Sequence, residues 1–123
     1  MGFMTNRKRA EGLGAAHRGT QHFWSMTISS VGLLMLVPLF VFTFGPMLGA
    51  PYEQVNAYFA RPFPAIVAGL TILVGMMHFK NGVQIAIEDY TDGLTRKVLI
   101  IVMICISYAL AATGLFAIAR IAL

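Results

Sequence analysis

Residues 75–90 read GMMHFKNGVQIAIEDY and close a long apolar run. In a helix, successive residues advance about 100° and rise ~1.5 Å, so His78 and Asp89 fall on one face, roughly 17 Å apart along the axis. Gly75 and Gly82 lie on nearly the same stripe. The pattern predicts a membrane helix in which a histidine is flanked by bare backbone. A flat macrocycle can lie on such a surface while the imidazole reaches its metal.

The composition excludes a water-soluble domain. Hydrophobic residues make up 58% of the 123 residues and charged residues only 11%, and the mean hydropathy is +0.75. Soluble domains average roughly 25% charged residues, so we expect one all-α integral membrane domain embedded in the lipid bilayer. The net charge of +4 is interpreted as loop charge that orients the helices, not as a nucleic-acid interface. The single cysteine, Cys105, excludes an intrachain disulfide and a cysteine-ligated metal or iron–sulfur site within this chain.

Three apolar stretches are each long enough to span a bilayer, which needs roughly 17–25 residues. The sequence predicts a tail at 1–25, a first helix at 26–48, a loop at 49–62, a second helix at 63–87, a loop at 88–96 and a third helix at 97–120. Basic residues concentrate in the tail and around the 88–96 loop. The positive-inside rule then predicts a cytoplasmic N-terminus and tail, a periplasmic 49–62 loop and a periplasmic C-terminus.

Two residues of the second helix, His78 and Gly82, and two residues that follow it, Asp89 and Tyr90, form the pattern H-x-x-x-G-x-x-x-x-x-x-D-Y. This pattern resembles the signature of the D-type hydrophobic anchor subunits of succinate dehydrogenase (complex II). The tail segment GTQHFW, residues 19–24, is similar to the G-[ST]-x-H-[HFW]-W segment that precedes the first helix in anchors of the alphaproteobacterial and mitochondrial kind. The two segments together extend the resemblance over most of the chain.

The resemblance implies a membrane anchor of succinate:ubiquinone oxidoreductase in the bacterial inner membrane, outside the catalytic core. In such anchors His78 is an axial ligand of haem b and binds its iron, with Gly75 and Gly82 packed against the haem. Tyr90 hydrogen-bonds ubiquinone, and Asp89 supports it. A second membrane-anchor (cytochrome b) subunit supplies the other haem ligand and completes a larger helical bundle. The flavoprotein and iron–sulfur subunits carry FAD and the iron–sulfur clusters, which link the tricarboxylic acid cycle to respiratory electron transport.

Each of these residues also has an ordinary explanation. His78 can be a hydrogen-bonding residue between helices, and the two glycines can be small packing positions for a neighbouring helix. Tyr90 can belong to the aromatic belt at the membrane surface, with Asp89 an ordinary loop charge beside it. In the tail, His22 is either a surface residue or a contact for a soluble partner or a lipid head group. His17 is predicted to be a surface residue.

Two other functions stay open at this point. One is a haem-binding anchor of another respiratory oxidoreductase, and the other is a small non-redox membrane transport or assembly protein. The second class usually needs intramembrane charges or paired half-helices, and the second helix offers only His78 and Lys80. A b-type haem in the purified protein distinguishes either anchor from the non-redox class.

Overall fold

A computed structural model describes residues 3–12 and 19–123, and in these residues the chain forms helices and no strand. The elements in order are α1 (Asn6–Glu11), α2 (Gly19–Phe44), a 3₁₀ turn (Gly45–Met47), α3 (Tyr52–Phe59), α4 (Pro62–Tyr90) and α5 (Gly93–Ala122). Three segments are long and apolar enough to cross a membrane, namely α2 with the 3₁₀ turn, α4 and α5. The predicted all-α membrane fold with three spanning helices is confirmed.

Helix α4 is the middle element of the fold. It packs against α2 on one side and α5 on the other, while α2 and α5 have no substantial contact with each other within the described ranges. The short connections make neighbouring helices antiparallel. Hydrogen bonds pair the first half of α2 with the second half of α4, as Ser25–Asn81 and Ser29–His78 show. Both faces of α4 are therefore used for packing inside the chain.

Small residues bring α4 and α5 close together. A Cβ atom built on Gly114 would lie 3.1 Å from Cγ2 of Ile72, so a larger residue there would push Ile72 aside. On α5 the residues Met103, Ser107 and Ala111 follow one another at four-residue spacing and are all buried. Lipid tails give no hydrophobic force between helices, so close backbone approach of this kind supplies the attraction.

A two-residue turn, Thr91 and Asp92, joins α4 to α5. Gly93 follows with φ 57°, a left-handed conformation that glycine adopts without steric cost. Arg96 then reaches back across the turn: its Nε donates to the Thr91 carbonyl at 2.6 Å and its Nη2 donates to the Asp92 carboxylate at 3.0 Å. The side chain of Arg96 thereby fixes the place where α4 ends.

The helices run past several of the predicted boundaries. Helix α2 begins at Gly19 rather than at 26, α4 ends at Tyr90 rather than at 87, and α5 begins at Gly93 rather than at 97. Helices of 26 to 30 residues are about 39–45 Å long, whereas the hydrocarbon core is about 30 Å thick. Hydropathy marks the lipid-embedded part of a helix, so it misses polar end turns that stay helical outside the core.

The 49–62 segment is not an irregular loop throughout, because it contains helix α3. Pro51 precedes its first turn, and Gln54 and Val55 both donate backbone hydrogen bonds to the Pro51 carbonyl. Phe59, near its end, is buried. Helix α3 contacts both α4 and α5 and so covers the end of the helices opposite Tyr90, which we call the far end.

The chain leaves an unusually large surface uncovered. It exposes 9468 Å², whereas a compact soluble protein of 13.4 kDa exposes about 6,500 Å². Large apolar side chains contribute much of this surface, among them Leu34, Phe42 and Phe116. In a membrane protein such a surface faces lipid or other subunits. The larger bundle with a second anchor subunit stays a prediction. The exposed apolar surface leaves room for such a subunit.

Candidate functional site

A row of polar side chains lies along the contact between α2 and α4. We call it the polar seam, and it consists of His22, Ser25 and Ser29 on α2 with His78 and Asn81 on α4. The spacing of three and four residues along α2 places its three members on one helix face. Ser29 and Asn81 are each 5% exposed. The seam is therefore an internal polar contact within otherwise apolar spans.

His78 is held by a hydrogen bond between the two helices. Its Nδ1 lies 3.0 Å from the Oγ of Ser29, and the same hydroxyl donates to the Met26 carbonyl at 2.9 Å. A hydroxyl has a single hydrogen. When that hydrogen is donated to Met26, Ser29 can only accept from His78, and the imidazole then carries its proton on Nδ1 and a lone pair on Nε2. Metal-binding histidines commonly show this arrangement, with one ring nitrogen fixed and the other available as a ligand.

Asn81 forms the second interhelical bond of the seam. Its Nδ2 donates to Ser25 Oγ at 2.9 Å, one turn along from the bond at His78. A buried amide in a membrane needs such a partner, because no water is present to replace it. The two bonds fix the rotation and the register of α4 against α2, and with them the direction of the His78 ring.

The two glycines of the predicted haem surface face α2. A Cβ atom added to Gly75 would lie 4.0 Å from Leu33 Cδ2, and one added to Gly82 would lie 4.0 Å from Met26 Cε. Both are ordinary van der Waals distances, so one α2 side chain touches the half-buried backbone of α4 at each of these two positions. A haem packed on this stripe would share the face with α2. Its packing on Gly75 and Gly82 stays a prediction.

His22 stands at the tail end of the seam. Its Nε2 is buried, and the residues that the structure describes offer it no hydrogen-bond partner. Buried polar nitrogens are rarely left without a partner, so this atom indicates a contact from outside the described chain. A soluble partner or a lipid head group, one of the two roles that the sequence left open for His22, would satisfy it. His17 lies outside the described residues.

An open apolar groove of about 580 Å³ runs beside the seam. Small and polar residues of α2 and apolar residues of α4 form its walls, including Ser25, Ser29, Gly32, Val74 and Met77. The described residues contain no group of three or more His, Cys, Asp or Glu side chains that could hold a bare metal ion. A haem iron takes its equatorial ligands from the macrocycle, so a single fixed histidine is a suitable contribution from this chain.

The second predicted site lies at the end of α4. Tyr90 is the last residue of the helix and is 89% exposed, and Asp89 before it is also exposed. Within residues 3–12 and 19–123, neither side chain has a hydrogen-bond partner of its own. The phenol is therefore accessible to another molecule. Its position is fixed because Arg96 holds the turn that follows Tyr90.

The structure separates the two sites along one helix. Tyr90 is twelve positions beyond His78, which corresponds to about 18 Å of helix. The sequence placed His78 within the second helix and Tyr90 just after it, but it did not identify the residues that hold them. Asn81 could have been found from its three-residue spacing to His78, and Ser25 and Ser29 from their four-residue spacing. Arg96 carries no comparable signal, since a basic residue after a turn is common.

Similarity to known proteins extends over nearly the whole chain. Residues 1–114 match the model of the family described as succinate dehydrogenase/fumarate reductase transmembrane subunit. A protein of Paracoccus denitrificans, named succinate dehydrogenase hydrophobic membrane anchor subunit, is 48% identical over 123 residues, which is 100% of this chain and 95% of that protein. No solved structure matches the chain at a significant level.

Proposed function

This chain belongs to the succinate dehydrogenase/fumarate reductase transmembrane subunit family, and we propose on that basis that it anchors a succinate:ubiquinone oxidoreductase, binds haem b and helps to form the ubiquinone-reduction site. The observation that carries the proposal is the similarity over the whole chain to a succinate dehydrogenase anchor, together with a histidine in the second spanning helix whose ring is hydrogen-bonded to Ser29. Family membership favours this function over the two alternatives that the sequence left open.

For haem binding, His78 is the proposed axial ligand. Support comes from the Nδ1 bond to Ser29, which leaves Nε2 with a lone pair. Haem b, when bound, supplies a one-electron redox centre inside the membrane. The residues of this chain would bind and orient it: His78 at the iron, Ser29 behind the ring, and Gly75 and Gly82 on the packing face. A second membrane-anchor subunit would provide the other axial ligand.

For ubiquinone, Tyr90 is the proposed hydrogen-bond donor. Reduction of a quinone to a quinol takes up two electrons and two protons, and negative charge develops on the carbonyl oxygens as electrons arrive. A phenol hydroxyl can donate to such an oxygen, and the neighbouring carboxylate of Asp89 can orient the phenol or pass protons from water. The exposure of both side chains at the end of α4 supports this role.

The electrons would come from other subunits. Succinate oxidation to fumarate releases two electrons, and FAD and iron–sulfur clusters in a flavoprotein and an iron–sulfur subunit would accept and transfer them. This chain has one cysteine and can hold no such cluster. Its large uncovered apolar surface is consistent with a second anchor beside it. Its place in electron transport is therefore to hold the soluble subunits and to complete the quinone site.

Purification of the tagged chain from its native membranes tests this function. We expect a flavoprotein, an iron–sulfur protein and a second membrane subunit to purify with it in equal amounts. The reduced-minus-oxidised spectrum should show a b-type haem that succinate reduces. A chain that purifies alone, or with partners that lack flavin and haem, would refute the proposed function.

The proposed orientation has its own test. The tail and the 88–96 loop carry most of the basic residues, so we expect a cytoplasmic N-terminus and Tyr90 on the cytoplasmic side of the inner membrane. In a Cys105→Ser background, a membrane-impermeant thiol reagent added from the periplasm should label Glu53→Cys and leave Asp92→Cys unlabelled. Labelling of Asp92→Cys alone would reverse the orientation and move the quinone site to the other face.

A further inference from the structure

A mixed polar and apolar pocket lies at the far end of the chain. It has a volume of about 600 Å³ and is formed by α3 and the last turns of α5. Tyr52 and Asn56 of α3 line it opposite Phe116 and Arg120 of α5. We call it the far-end pocket. Helix α5 is about 45 Å long and starts beside Tyr90, so Arg120 lies near the opposite membrane surface.

The polar groups of the far-end pocket suit an oxyanion. An arginine supplies several N–H donors in a planar array that matches phosphate oxygens, and a tyrosine hydroxyl and an asparagine amide add further donors. Among residues 3–12 and 19–123, no acidic side chain lines the pocket. Within the described part of the chain Arg120 also forms no salt bridge. The pocket therefore contains the positive charge of Arg120, which a phosphate would neutralise.

An apolar cleft continues from this pocket into the membrane. Its volume is about 480 Å³, and it opens between α2 and α5, which do not close against each other. Ile121 lines both the pocket and the cleft. At its deep end the cleft reaches Gly75, about 20 Å along α4 from Pro62. One half of a bilayer's hydrocarbon core is about 15 Å thick, so the cleft is long enough for an acyl chain.

We propose that the far-end pocket and the apolar cleft together bind one phospholipid, with its phosphodiester on Arg120 and an acyl chain between α2 and α5. The phosphate lies at the depth where lipid phosphates occur, and the chain fills the space that the three helices leave open. Arg120, Asn56 and Tyr52 hold the head group. The site is at the opposite end of α4 from Tyr90 and does not depend on the proposed quinone chemistry.

The test measures the phospholipid that the purified protein retains, together with the subunits that assemble with it, after exhaustive washing in detergent. Native mass spectrometry gives the number of lipids, and phosphorus analysis gives an independent value. Arg120→Gln should retain one phospholipid fewer per complex than the wild type. Arg61→Gln is the matched control, since Arg61 lies at the same end but stacks over the Tyr58 ring at 5.9 Å, and it should retain the wild-type number.

A second variant distinguishes a lipid from a free phosphate. Ile118→Trp places a large ring in the apolar cleft without touching the head-group donors, and it should also lose one phospholipid. If Ile118→Trp keeps the lipid while Arg120→Gln loses it, no acyl chain lies in the cleft, and the proposal fails. If the wild type retains phosphorus without a phospholipid mass, the site holds a free phosphate, and the proposal also fails. Equal lipid numbers in all four proteins also overturn it. Should Arg120→Gln not assemble, the double variant Tyr52→Phe with Asn56→Leu tests the same head-group contacts.

Discussion

Replacing Tyr90 with phenylalanine should lower succinate–ubiquinone activity about 10- to 100-fold, while succinate oxidation by an artificial dye stays near the wild-type rate. The substitution keeps the ring and the end of α4 and removes only the hydroxyl. Loss of one preorganised donor at a developing negative charge typically costs about 2.7–4 kcal/mol, or 10²–10³ in rate. Tyr90 is 89% exposed, and water can replace part of its hydrogen bond, so we expect the lower part of that range or somewhat less.

Tyr108→Phe is the matched control for this measurement. Tyr108 is also an exposed tyrosine, at 61%, but it lies within α5 and away from the turn that Arg96 holds. Its variant should keep full activity with ubiquinone. Wild-type quinone turnover in Tyr90→Phe would show that the hydroxyl does not bind the quinone. An equal fall in dye reduction would show instead that Tyr90 serves the assembly of the subunits.

Replacing His78 with alanine should abolish or strongly alter the b-type spectrum of the purified complex. The substitution removes the only histidine of α4, which is the proposed axial ligand. Succinate–ubiquinone activity should fall less than the haem signal. Electrons from an iron–sulfur cluster can reach a quinone at Tyr90 without passing through a haem at His78. An unchanged spectrum would establish His78 as a hydrogen-bonding residue between helices.

Substitutions at Ser29 and Asn81 distinguish the loss of the iron ligand from a disturbance of helix packing. Ser29→Ala leaves the imidazole in place but removes its Nδ1 partner, so haem should be retained with a shifted spectrum and an affinity lowered by roughly 10- to 100-fold, as for other partners of metal ligands. Asn81→Ala removes the second bond of the seam and should shift the spectrum less than Ser29→Ala does, because the bond to the His78 ring itself remains. If Asn81→Ala loses haem as completely as His78→Ala, helix packing rather than ligation explains the loss.

The sequence predicts the spanning helices well, because long apolar runs are a direct consequence of the bilayer as solvent. It also points to His78 and Tyr90 as candidate site residues, since a titratable residue within an apolar run and a motif at its end both stand out. The ends of the helices are less well predicted, as at Asp89 and Tyr90, which the sequence assigns to a loop and the structure to α4. Polar residues at the membrane surface are compatible with either conformation, so hydropathy does not distinguish them.

The partners of the site residues are the part that the sequence does not predict. The bond between Ser29 and His78 depends on how α2 and α4 align, and the residues are 49 positions apart. Many alignments of two apolar helices bury similar areas, so hydrophobic pattern alone does not select one. The bonds at Ser25–Asn81 and Ser29–His78 select it by satisfying polar groups in pairs.

The central position of α4 determines which parts of the fold a destabilising substitution disturbs. Since α2 and α5 each attach to α4 and barely to each other, the fold resembles a linear array in which each element depends on its immediate neighbours. Detaching α2 would disturb the seam around His78 yet leave the α4–α5 hairpin and its turn intact. Loosening the turn at Arg96 would disturb Tyr90 and spare the seam. Destabilising substitutions in this chain should therefore fall into two separate groups. The losses of folding free energy caused by one substitution from each group should add.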